Sequence, residues 1–169
     1  MNTADTSQPN QLQDHNLADV PVYKHIKSAF FNQEELPWAP WVMPDTYFKL
    51  LAINTHSGGF TMMLKVGPNN IAPIHGHVGA VEGYILEGGF AYEDDWGFKD
   101  HYVFEPAGIN HKPVTGDEGM MMFAIAHGPL MGYNEDGSVA LVLDARKMYD
   151  MAVEHNAAGH IDLPDEWDQ

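Results

Sequence analysis

The sequence predicts an all-β sandwich or barrel, and three observations lead there. Short apolar segments recur at regular intervals through the middle of the chain. Each is bounded by Gly, Pro, Asn or Asp. No helical pattern alternates with them, so parallel βαβ units are not expected. A chain of 169 residues is one ordinary domain with room for a single sizeable core.

Taken in order, residues 1–19 are polar and aperiodic, and read as a flexible N-terminal tail. Tyr23–Glu35 has a weak helical pattern with Ile26, Phe30 and Phe31 as its apolar positions. Leu36–Trp41 follows, where two prolines fix an extended strap and Trp38 and Trp41 need burial or a ligand. The strands expected are Tyr47–Asn54, Phe60–Val66, Val81–Leu86, Gly89–Glu93, His101–Glu105, Met120–His127 and Val139–Leu143. Glu87-Gly88-Gly89 reads as a tight hairpin turn, because a glycine pair supplies positive φ. Asn134–Gly137 reads as a second turn. Met148, Met151 and Ala152 recur at helical spacing within Ala145–His155, with Gly159 placed to end that helix. The domain plan is thus a tail over 1–19, a barrel over 20–144, and a helix with its tail over 145–169.

Composition narrows the function. Acidic residues outnumber basic ones 24 to 8, a formal charge of −16 that repels phosphate backbones and anionic lipid heads. Neither nucleic acid nor a membrane is therefore expected as a partner. Cysteine is absent, which removes disulfides, thiol nucleophiles, thiolate metal sites and iron–sulfur clusters. The longest apolar run, Met120–Ala126, is too short to span a bilayer, and no secretory signal opens the chain, so a cytoplasmic location is expected.

Histidine gives the sharpest signal. His75-Gly-His77 puts two imidazoles on one face of an extended strand, roughly 7 Å apart. Chance alone yields about 0.6 such pairs in this composition. Glu82 follows five residues later; its odd offset turns it outward on a regular strand, unless a bulge near Gly79 restores it. Pro106-x-Gly108-x-x-His111 is more specific, with about 0.06 chance matches. Its proline and glycine make a sharp turn, after which the chain re-enters the sheet with His111 facing inward. A barrel can bring the two hairpins to one interior point.

Gly67…His75-x-His77-x4-Glu82-x6-Gly89 resembles the first motif of the cupin superfamily, and Pro106-x-Gly108-x-x-His111 resembles the second. The resemblance implies a double-stranded β-helix, or jelly roll, with one metal inside. Trp38-Ala-Pro-Trp41, Phe48–Leu51, Tyr92–Trp96 and Phe104–Gly108 are similar to the cupins related to dihydroxyacetophenone dioxygenase and, more distantly, acetylacetone dioxygenase and ChrR-like cupins. That likeness implies Fe(II) held by His75, His77 and His111, with Zn, Mn or Ni as alternative metals, and the likeness to ordinary cupins adds Glu82 as a fourth ligand. It implies Glu93 as the catalytic carboxylate and Glu105 as an acid behind the ligands. The implied reaction splits a C–C bond next to a ketone with O2, on a β-diketone or α-hydroxyketone, giving two carboxylic acids. Tyr84, Phe90, Tyr92, Met62, Met122 and Phe123 are the expected cavity walls. A homodimer or homotetramer is expected. The alternative is a noncatalytic Zn-binding cupin that senses or binds a small molecule.

Overall fold

A computed structural model describes residues 30–163 and Trp167. Expectations for residues 1–19, and for Ile26 in the preceding helical pattern, lie outside the described residues. Eleven strands and one α-helix fall within the compact unit Ala29–Ile161. The strands are β1 (Ala39–Pro40), β2 (Thr46–Asn54), β3 (Gly59–Val66), β4 (His75–His77), β5 (Val81–Tyr92), β6 (Asp95–Phe98), β7 (Tyr102–Glu105), β8 (Asn110–His111), β9 (Val114–Ala126), β10 (Leu130–Tyr133) and β11 (Val139–Leu143); α1 is Ala145–Glu154.

Two antiparallel sheets form the jelly roll. The larger runs β1-β2-β3-β9-β5-β6, with β7 also paired to β5; the smaller runs β11-β10-β4-β8. Strands far apart in sequence meet at β3–β9, where Phe60 pairs with Ala126 and Val66 with Met120. Alternation on β3 and β9 sends Met62, Leu64, Met122 and Ala124 inward, and all four are buried. The strap is held at its edge, with Ala39 opposite Phe48. Lys49 clamps it further: its Nζ donates to the Gln33 carbonyl at 2.9 Å and lies 4.8 Å from the Trp38 ring centre.

The helix is capped as physics requires. Asp144 accepts from the Lys147 amide at 2.8 Å, and Ala145, Met148 and Ala152 form its buried stripe. It ends at Glu154, before Gly159, where Asn156 takes a positive φ of 56°. Asn134–Gly137 turns as expected, with the Gly137 amide donating to Asn134 O at 2.9 Å.

The Glu87–Gly89 hairpin does not exist. β5 runs unbroken from Val81 to Tyr92 and absorbs the glycines as bulges between Ile85 and Glu87 and between Gly88 and Phe90. Gly88 has φ 62°, and a Cβ there would stand 2.0 Å from the Gly119 carbonyl oxygen. The glycine therefore permits close approach to β9 rather than a reversal. The segment Tyr23–Glu35 contributes only a 3-10 turn, Gln33–Glu35, among the described residues. No described helix is long and apolar enough to cross a membrane.

Candidate metal centre

His75 and His77 stand on β4, and His111 stands on β8, the strand beside it. The pairing register sets His75 directly opposite His111. Alternation keeps His75 and His77 on one face, so register and period together aim three rings at one place. The turn between the motifs fixes the relation. Gly108 has φ 78°, and its amide donates to the His77 carbonyl at 2.8 Å. That single bond ties the chain before His111 to the second histidine of β4.

The three imidazoles converge through Nε2. His111 Nε2 lies 3.0 Å from His75 Nε2 and 3.2 Å from His77 Nε2. Ligands sharing one cation at about 2.1 Å stand about 2.9–3.4 Å from each other, so the spacing fits a shared ion. His75 Nδ1 lies 3.0 Å from the Pro73 carbonyl, which can only accept. The proton thus sits on Nδ1, and Nε2 carries a lone pair toward the centre. Burial lowers the His75 pKa, against the Pro73 carbonyl that pushes it up. It lowers His77 to about 4 and His111 to about 3, and the neighbouring histidines add to the shift. Three neutral imidazoles facing one another form a set that could hold a metal ion.

Glu105, on β7, stands behind His77. Its Oε2 is 3.3 Å from His77 Nδ1, but the two atoms form no hydrogen bond. Burial pushes its carboxyl up to about 8. The Tyr92 ring stacks on His111, centroids 4.7 Å apart at 15°. Two residues that line the cavity carry buried polar atoms without partners, Trp41 Nε1 and the Tyr92 hydroxyl. A cavity of about 340 Å³ lies between the sheets, with His75 and His77 in its lining.

The other expected site residues lie elsewhere. Glu82, expected as a fourth ligand, is on the outer face of β5. It accepts from the Tyr102 hydroxyl at 2.6 Å and from His127 Nε2 at 2.7 Å. Strand parity is the reason: Val81 and Gly83 are buried and Glu82 between them points out. No bulge near Gly79 reverses it; the register shifts begin at Ile85. Glu93, expected as the catalytic carboxylate, is exposed in the turn between β5 and β6 with φ 53°. Of the expected cavity walls, Phe90, Tyr92, Met62 and Met122 line it. Tyr84 and Phe123 do not: they stand opposite each other across the β5–β9 pair, with Tyr84 41% exposed on the outer face. Trp41, Leu64 and Val66 line the cavity without having been expected there, although the alternation of Phe60–Val66 carried the signal for the last two.

The family model of the ChrR Cupin-like domain matches residues 27–131. Among solved structures, an RmlC-like cupin protein from Ralstonia eutropha is 22% identical, with a TM-score of 0.73, covering 84% of this chain and 94% of that one. A candidate acetylacetone dioxygenase from Methylibium petroleiphilum is 20% identical, with a TM-score of 0.68, covering 74% of this chain and 94% of that one. An acetylacetone dioxygenase from Acinetobacter johnsonii is 15% identical, with a TM-score of 0.69, covering 78% of this chain and 95% of that one. At these identities the likeness shows the fold. No curated protein matches the chain.

Proposed function

This chain belongs to the ChrR cupin-like family, and from that premise we propose that it is a nonhaem Fe(II) dioxygenase cleaving a C–C bond next to a ketone, with a β-diketone or α-hydroxyketone and O2 as substrates. One observation carries the reading. Three neutral imidazoles meet at 3.0 and 3.2 Å at the head of an apolar cavity, with no carboxylate among them. Such a neutral shell leaves a dication most of its charge, which suits an oxygen-chelating, enolisable ketone.

His75, His77 and His111 would hold the metal. Iron, when bound, supplies Lewis acidity and the one-electron reactivity that triplet O2 requires. The chain does the rest. Pro73 fixes the His75 tautomer through its carbonyl, and Glu105 packs behind the His77 ring. Tyr92 braces His111 by stacking. The apolar walls exclude water, so charge developing on a bound ketone is poorly screened. The exposed position of Glu93 removes it from this scheme.

The test is to load the purified protein with Fe(II) without air and follow O2 consumption across diketones and hydroxyketones. Iron-dependent uptake with two carboxylic products is the expected result. Full zinc occupancy with no iron-dependent uptake on any of them would replace the dioxygenase with a Zn-holding binding module.

A further inference from the structure

The cavity below the histidines exceeds what a small diketone needs. Its volume, about 340 Å³, lies in the range of pockets that enclose drug-sized ligands, and a five-carbon dione leaves most of it empty. One wall is built from paired alternate residues of neighbouring strands in the larger sheet, Met62, Leu64 and Val66 of β3 and Met120, Met122 and Ala124 of β9, all buried. From Phe60 to Val66 this lining runs roughly 20 Å along β3. No lysine or arginine lines it, and its one acidic group, Glu105, stands beside His77. A negatively charged tail would therefore lose its water and find no cation.

The mouth is apolar as well. A shallow groove continues from the cavity through shared residues Val42, Met43, Asn70 and Pro73, and adds Ile71. Val42 and Ile71 are 39% and 62% exposed. Val42 and Ile71 line this groove, so the approach to the cavity is rimmed by exposed aliphatic side chains, the mark of an apolar ligand's path.

We propose, building on the dioxygenase reading above, that the substrate is an uncharged ketone with a long or bulky apolar tail, its oxygenated head at the histidines and its tail in the sleeve between the two sheets, along the wall that β3 and β9 form. The affinity should then depend on tail length. Each methylene buried in the sleeve should tighten binding about fourfold until the sleeve is full.

The test uses full-length protein loaded with Zn(II), which is redox-inert, and calorimetry on straight-chain 2,4-diones from pentane-2,4-dione to tetradecane-2,4-dione. The expected result is a steady fall in Kd over several added carbons, followed by a plateau or loss. A dione of the best length ending in a carboxylate should bind at least about tenfold more weakly than its methyl-ended counterpart. Ala124→Leu and Met122→Trp, checked for folding by circular dichroism, should move the optimum to shorter tails. A flat series, a tightest fit at pentane-2,4-dione, or equal binding of the carboxylate-ended dione overturns the proposal. Octan-1-ol, followed by tryptophan fluorescence, probes the sleeve without any chelating head. Octanol binding that Ala124→Leu abolishes, with no dione bound at any length, would sink the ketone reading and leave the apolar sleeve. Dione binding without length dependence would do the reverse.

Discussion

His77 and Glu82 are five residues apart, yet they belong to two constellations of similar composition and opposite character. The inner one gathers three imidazoles whose Nε2 lone pairs face each other, His77 buried and His75 and His111 partly so. The outer one gathers Glu82, Tyr102 and His127 on the wet face of the same barrel, where the half-exposed carboxylate and imidazole satisfy each other. Tyr102, then His127, hold the Glu82 carboxyl below the usual range by donating to it. The outer lone pairs are already spent on hydrogen bonds and solvent. The inner ones have nothing to accept from, and burial keeps protons off them. Strand parity and dryness, more than residue type, separate a metal-competent set from a surface hydrogen-bond network.

Substitution at each constellation sharpens that contrast, and the largest effect belongs to the inner one. His75→Ala, His77→Ala and His111→Ala should each drop bound metal from near one per chain to near zero, by inductively coupled plasma analysis. Retained metal in any two of the three would break the assignment. Glu105→Ala should weaken metal affinity by about 10–100-fold, read by competition with a chelating dye, because His77 loses the group behind it.

Metal-free protein should also report Glu105 through pH. Its carboxyl is raised from 4.5 to about 8 in the folded chain, so the folded state keeps a proton that the unfolded state releases. That stabilisation is complete below about 4.5 and is lost as pH rises through about 8. Between pH 7 and 8 urea denaturation should show stability falling by about 1 kcal/mol per pH unit, and Glu105→Gln should flatten the slope.

The smallest effects belong to the outer set. Glu82→Gln should leave metal content at one per chain and the neutral-pH unfolding midpoint almost unmoved. Because the Glu82 pKa is lowered by folding, its contribution is present above the unfolded carboxylate value and fades as pH falls through the folded one. The variant should lose that acid-side dependence, and a loss of metal on Glu82→Gln would erase the distinction between the two faces.

Much of this was legible in the sequence because period and turn chemistry act locally. His75-x-His77 announced a shared face, and Pro106-x-Gly108 announced the turn that returns His111 to the sheet. The outward parity of Glu82 was equally readable from its odd offset, but the motif likeness drew it inward. The glycines at 88 and 89 misled, since a bulge and a hairpin use the same positive φ and only the partner strand tells them apart. Short strands such as Asn110–His111 have no periodicity to read; they exist through pairing with β4. Trp41 joined the cavity because β1 docks on β2, a long-range fact that no local pattern encodes.

The central claim is that His75, His77 and His111 share one ion, and anomalous diffraction from crystals of metal-loaded protein tests it directly. The account predicts one strong peak equidistant from the three Nε2 atoms. A peak between Glu82 and His127, or none among the three imidazoles, would contradict it.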